Sequence, residues 1–156
     1  DCSAGRVMPK RVDERVAELG AIVGEKGLIL PPDNAAFDCG YRYGNGKSLC
    51  VVRPATIGEL RDIVRLSFKR DVGLVPQGAN TGLVGASSPD RSGEQVVLNL
   101  GRLSGVEALD AVDRSATVLS GTRLSELNAA AAPHRLSFPI DLGADPSIGG
   151  MIATNT

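Results

Sequence analysis

The stretch from Pro76 to Gly85 reads Pro-Gln-Gly-Ala-Asn-Thr-Gly-Leu-Val-Gly and carries little side-chain bulk before Leu83. Successive backbone N–H groups in such a loop form a concavity that binds anions. Asn80 and Thr81 add an amide and a hydroxyl able to donate to phosphate oxygens. No Lys or Arg lies within the loop, so binding by the loop itself rests on neutral dipoles. Taken alone, these residues leave two readings open: a phosphate-binding loop or an ordinary glycine-rich turn. Gly78, Gly82 and Gly85 give G-x-x-x-G-x-x-G, which is not the G-x-G-x-x-G of a dinucleotide fingerprint, and no strong helical pattern follows. Gly46-Lys47-Ser48 imitates the end of a P-loop. Tyr41 stands where the first glycine of that motif belongs, and a strand pattern follows, so Lys47 reads as a solvated turn residue.

A second small-residue segment runs from Phe138 to Thr156. It lies roughly 60 residues beyond the first, a separation that suits two walls of one cleft for a long, phosphate-bearing ligand. Asp141 and Asp145 admit a reading as a carboxylate pair for proton transfer or a metal. Turn formation is the better reading, with Asp145 in an Asp-Pro turn.

Composition removes several alternatives. The chain has 156 residues, enough for one domain with a core. Its 17 basic and 18 acidic side chains give a net charge of −1 and are spread along the sequence, unlike the basic footprint of a nucleic-acid binder. Cys2, Cys39 and Cys50 form no CxxC pair, and His134 is the only histidine. A zinc or iron–sulfur site is therefore not expected, and the cysteines read as free thiols of a reducing compartment. No apolar run approaches the ~20 residues that span a bilayer. A cytoplasmic location is expected, with membrane association of the intact protein left open. Met8 precedes a helical pattern, so Asp1 to Val7 read as an extension.

Several elements must position the two segments. Val12, Val16, Leu19 and Val23 predict a helix over 10–23, ended by Gly24. Pro31 to Asn34 predict a turn, and 40–47 an irregular stretch. Leu49, Val51 and Val52 predict a buried strand over 48–53. Thr56 and Glu59 form a capping-box pattern for a second helix, whose buried face is expected to carry Ile57, Leu60, Val64 and Phe68. Leu74-Val75-Pro76 begins another strand, so strand, helix and strand form a βαβ unit with two parallel strands. The first glycine-rich loop then falls beyond the carboxyl end of a strand, where ligands bind in open α/β sheets. Further strands are expected over 96–100, 106–110 and 116–119, the last two antiparallel, and a third helix carries Leu124, Leu127 and Ala131 on one face. Residues 137–156 read as loop-rich.

At the two glycine-rich segments the chain resembles the FAD-linked oxidases of the vanillyl-alcohol oxidase type, in the branch of D-lactate, D-2-hydroxyglutarate and glycolate dehydrogenases. The resemblance covers about Leu49 to Thr156 and includes Val52-Arg53-Pro54-Ala55-Thr56, the Pro76–Gly85 loop, the stretch from Val97 to Leu103, Gly121 and the segment from Asp141 to Asn155. It implies an α+β, PCMH-type FAD-binding fold: a first α/β subdomain and the start of a second, truncated at the C-terminal end. The domain would occupy 48–156, after an N-terminal helix and connector over 1–47.

The resemblance implies that Pro76, Gln77, Gly78, Ala79, Asn80, Thr81, Gly82 and Leu83 wrap the FAD diphosphate. It places Pro139, Asp141, Gly143, Ala144, Ser147, Ile148, Gly149, Gly150, Ala153, Thr154 and Asn155 along the rest of the cofactor. Some relatives attach flavin through a His in the first loop; this chain offers Asn80, so non-covalent FAD is expected. Ala79 and Ala86 replace glycines common in relatives, and Ala79 would be strained at positive φ. The implied reaction is oxidation of a D-2-hydroxy acid by hydride transfer to flavin, with a quinone, a flavoprotein or another molecule as electron acceptor. A homodimer is left open. The resemblance places the catalytic base and metal-binding residues beyond Thr156, so no catalytic residue is named. The alternatives are a non-catalytic domain that holds FAD weakly or not at all, an oxidase of another alcohol on the same fold, and a P-loop phosphotransferase.

Overall fold

The computed structural model describes residues 13–156. The expectations for Val12, for Cys2 and for the extension ahead of Met8 lie outside the described residues. The first helix, α1 (Glu14–Val23), starts at Asp13, whose carboxylate accepts from Arg15 N at 3.0 Å as an N-cap. Val16, Leu19 and Val23 form its buried stripe, as their spacing predicts.

A short strand β1 (Leu28–Ile29) and a single helical turn α2 (Ala35–Asp38) follow; neither has enough length to leave a periodic signal. Strand β2 (Cys50–Val52) is shorter than its sequence pattern, because Leu49 and Arg53 lie outside it and bond to Gln95 O and Gly27 O. Helix α3 (Ile57–Arg70) is capped by Thr56, whose hydroxyl accepts from Glu59 N at 3.1 Å. The Glu59 carboxylate reaches back to Ala55 N at 2.7 Å, completing a capping pattern shifted by one residue.

Strands β3 (Leu74–Gln77) and β4 (Val96–Asn99) complete a four-stranded sheet in the order β1-β2-β4-β3. Strands β2 and β3 are parallel, as the βαβ reading requires. They are not neighbours, however: β4 lies between them and is parallel to both. The two inner strands, β2 and β4, are the fully buried ones: Cys50 to Val52 and Val96 to Asn99 are all buried.

Alternation divides the core between the two faces. Cys50, Val52, Val96 and Leu98 pack against Val16, Leu19, Val23 and Ile63 of the two helices. Val51, Val75 and Val97 face the other way, under Ile29 and Phe37. Burial pushes the Cys50 thiol up to about 12. It is a packing residue with almost no thiolate at neutral pH.

Helix α3 differs from its sequence reading. Of the expected face, Leu60 packs on the core, but Ile57, Val64 and Phe68 are 60%, 47% and 92% exposed. Ile63 and Ser67 are buried instead, with Leu66 against the core. The helix has two overlapping apolar stripes, and periodicity does not choose between them. The small Ser67 and the outward Arg70–Glu18 ion pair let α1 and α3 lie side by side.

The second half begins with the antiparallel hairpin β5 (Val106–Asp110) and β6 (Ser115–Val118), as expected within a residue. Asp110 accepts from Val112 N and Asp113 N, which closes the turn. Helix α4 (Leu124–Ala131) buries Leu124, Leu127 and Ala131, the expected face. Residues 137–156, read as loop-rich, contain helix α5 (Ile148–Thr154). Gly149 and Gly150 lower its helical propensity, which hid it.

Candidate functional site

Three parallel strands end at the same edge of the sheet, so Arg53 after β2, Gly78 after β3 and Gly101 after β4 are brought together. They line a cleft of about 420 Å³ with Phe37, Cys39, Tyr41, Gln77, Ala79, Asn80, Asn99 and Arg123 among its walls. Its floor is a polar network. Gln77 is buried, and its Nε2 donates to Phe37 O and Ser87 O, both at 2.9 Å. Its Oε1 accepts from Asn99 Nδ2 at 3.0 Å, and Asn99 also donates to Gly78 O. Gln77 therefore shapes the loop and has no donor left for a ligand.

Asn80 also shapes the loop, though one of its two amide N–H donors remains free. The sequence suggests that its amide reaches a phosphate, but Nδ2 donates to Cys39 O at 2.7 Å and Oδ1 accepts from Ser87 Oγ at 2.8 Å. Asn80 also takes the positive φ of the loop, at 56°, a conformation Asn tolerates. Ala79 has no positive φ, so the strain expected there does not arise. The side chains are thus turned inward, while the main chain stays open. Among the described residues, no backbone N–H from Gly78 to Leu83 donates a hydrogen bond.

The second glycine-rich segment meets the first at one point. A Cβ at Gly78 would collide with Ser147 Oγ, so only glycine lets the two segments touch here. Ser147 is buried, caps α5 through Gly150 N at 3.3 Å and bridges to Arg123. Gly149 is equally constrained, since its Cβ would meet Ser120 Cβ at 2.8 Å. Asp141, Gly143 and Ala144 lie elsewhere, along a second cleft of about 420 Å³ beside Leu124, Ser125 and Asn128 of α4. Ala153, Thr154 and Asn155 sit exposed on α5 and its end, and Pro139 is exposed in the preceding loop. The structure thus joins Gly78 to Ser147 but does not set all the named residues around one opening.

Asp145 is a structural cap. Its Oδ1 accepts from Ser125 N at 3.0 Å and its Oδ2 from Ser125 Oγ at 2.8 Å. The backbone N–H of Ser125 holds its carboxyl below the usual range. A turn-and-cap role fits this arrangement, and among the described residues no cluster of metal-ligating side chains forms.

Sequence reasoning passed over the charged groups of the first cleft. Arg53 and Arg123 both line it, and among the described residues no Asp or Glu does. Binding need not rest on neutral dipoles alone. The clue was available for Arg53: a residue that follows a parallel strand lies at the same edge as the loop after the next one. Arg123 comes from the other half of the chain, and no local pattern points to it.

A family model described as "FAD binding domain" matches residues 48–156. This chain belongs to that FAD-binding family. FAD is therefore the cofactor to set against the cleft, and the fit is favourable: a ribbon of uncommitted N–H groups, two arginines and no facing acid suit a diphosphate.

Curated relatives share the family. The chain is 38% identical over 120 residues to the quinone-dependent D-lactate dehydrogenase of Haemophilus influenzae, covering 74% of this chain and 21% of that protein. It is 36% identical over 116 residues to the mitochondrial D-2-hydroxyglutarate dehydrogenase of Rattus norvegicus, covering 73% and 21%. The chain thus spans about a fifth of the length of these relatives. Among solved structures, alkyldihydroxyacetonephosphate synthase superposes with a TM-score of 0.80 at 23% identity, over 95% of this chain and 30% of that one. Substrate-bound p-cresol methylhydroxylase gives 0.67 at 18% identity, over 79% and 25%. These likenesses establish the α+β, PCMH-type FAD-binding fold.

Proposed function

We propose that this chain is the cofactor-holding front part of an FAD-dependent dehydrogenase acting on a D-2-hydroxy acid. One observation carries the site assignment: among the described residues the N–H groups from Gly78 to Leu83 make no hydrogen bond, and Gly78, Ala79 and Asn80 of this loop line a cleft together with two arginines. Pro76 to Leu83 hold the diphosphate non-covalently, mainly through the main chain, with Gln77 and Asn80 fixing the loop from behind. Ser147, Ile148, Gly149 and Gly150 form the facing wall, and Gly78 is where the walls close. Pro139, Asp141, Gly143, Ala144, Ala153, Thr154 and Asn155 follow the cofactor away from its diphosphate. When bound, FAD supplies an acceptor for the hydride removed from the carbinol carbon.

The substrate class is supported by the D-lactate and D-2-hydroxyglutarate dehydrogenase names of the relatives. A quinone is the favoured electron acceptor, since relatives from Haemophilus influenzae and Corynebacterium glutamicum are named quinone-dependent. That acceptor would bring the intact enzyme to a membrane surface. No helix among the described residues is long and apolar enough to cross one. The experiment is anaerobic mixing of the full-length holoenzyme with D-lactate, D-2-hydroxyglutarate and their L-enantiomers. The reading expects the visible flavin band to bleach with at least one D-acid and not with its mirror image. A protein that purifies without flavin, or a flavin indifferent to every D-2-hydroxy acid tried, contradicts it.

A further inference from the structure

Arg53 is fixed at both ends of its peptide unit. Its N–H donates to Gly27 O at 2.7 Å, and its carbonyl accepts from Arg102 Nη1 at 2.8 Å. Its side chain therefore leaves the end of β2 from an anchored backbone and enters the cleft. Phe37 lies beside the guanidinium, with the ring centroid 6.0 Å from Cζ. The Nε is buried and has no hydrogen-bond partner among the described residues. No carboxylate among the described residues lines this cleft. A buried donor on a cation is costly to leave unmet, because it has lost water without gaining an acceptor. Arg123, the other cation of the cleft, spends one of its donors on Asp145 O at 2.7 Å. Among the described residues, no side-chain N–H of Arg53 donates a hydrogen bond, and the residue lines the cleft.

We propose that Arg53 is an anion-anchoring residue of the cleft, donating from its guanidinium to a phosphate oxygen and so selecting flavins that carry a diphosphate. The inference rests on the reading of this cleft as the FAD site and adds a charged partner to a loop that carries no charged side chain. A guanidinium donates to phosphate more strongly than a neutral amide does. Its removal should therefore cost affinity for FAD and leave affinity for riboflavin, which lacks phosphate, unchanged.

The test is titration of the apo form of the full-length protein with FAD and with riboflavin, followed by flavin fluorescence at low and high salt. Arg53→Met is expected to weaken FAD binding by about 10- to 100-fold, the range of one hydrogen bond to a charged group. It should flatten the salt dependence and leave riboflavin binding as in the wild type. Arg53→Lys keeps the charge without the planar guanidinium fork, so it should fall between the two and stay salt-sensitive. Equal FAD affinity in Arg53→Met and wild type overturns the proposal. So does a parallel loss of FAD and riboflavin in both variants, the sign of a purely structural role. A wild-type protein that takes up neither flavin overturns the cofactor reading itself.

Discussion

Asn80 shows how a functional-looking side chain can serve a site indirectly. Its amide donates one N–H to Cys39 O and accepts from Ser87 Oγ, and its backbone accepts the positive φ that turns the loop. Asn80→Asp keeps the backbone preference but turns the donor to Cys39 O into an acceptor and adds a negative charge near the cleft. Full-length Asn80→Asp should lose about 1–2 kcal/mol of stability and bind FAD at least about tenfold more weakly. Lys47→Ala should change neither, because Lys47 is exposed and lies outside the cleft-lining residues. Thermal melts and flavin titrations check both, and equal effects from the two substitutions would contradict the loop assignment. At this scale the sequence revealed where the loop lies and that its glycines matter. It could not reveal which polar groups face inward, because Cys39 and Ser87 become partners of Asn80 only after folding. Arg53 was visible as a letter beside Pro54, but its unmet Nε depends on how Phe37 and the strand end enclose it.

Helices α1 and α4 were legible because each has a single apolar stripe, and the buried residues are those the spacing selects. Helix α3 was legible as a helix, through Thr56 and Glu59, but not in its rotation. The sheet and α1 decide that rotation, and they choose Ile63 and Ser67 over Ile57, Val64 and Phe68. The consequence is measurable. Ile63→Ala removes a fully buried side chain and should cost about 2–5 kcal/mol. Phe68→Ser should stay within about 0.5 kcal/mol of wild type, as surface changes do. Denaturant unfolding compares them, and a larger loss for Phe68→Ser would reverse the assigned face. Helix α5 escaped notice because two of its residues are glycines. Those glycines serve contact rather than propensity: Gly149 lies against Ser120, and Gly150 N meets the Ser147 cap.

For the whole molecule, the parallel run β2-β4-β3 does most to create the site, because it aims three strand ends at one edge. The family and fold class were legible from two glycine-rich segments in order. The insertion of β4 between β2 and β3 was not, since local patterns carry no neighbour order. Nor was the split of the second segment, where Ser147 lies against Gly78 while Asp141, Gly143 and Ala144 line another cleft beside α4. The account holds that one diphosphate lies across the Gly78–Leu83 main chain next to Arg53. A crystal structure of the full-length holoenzyme measures this most directly. The expected result is phosphate oxygens within hydrogen-bonding distance of those N–H groups and of the Arg53 guanidinium, with Ser147 on the facing wall. A dinucleotide bound elsewhere, with the Gly78–Leu83 amides turned to bulk water, would contradict it.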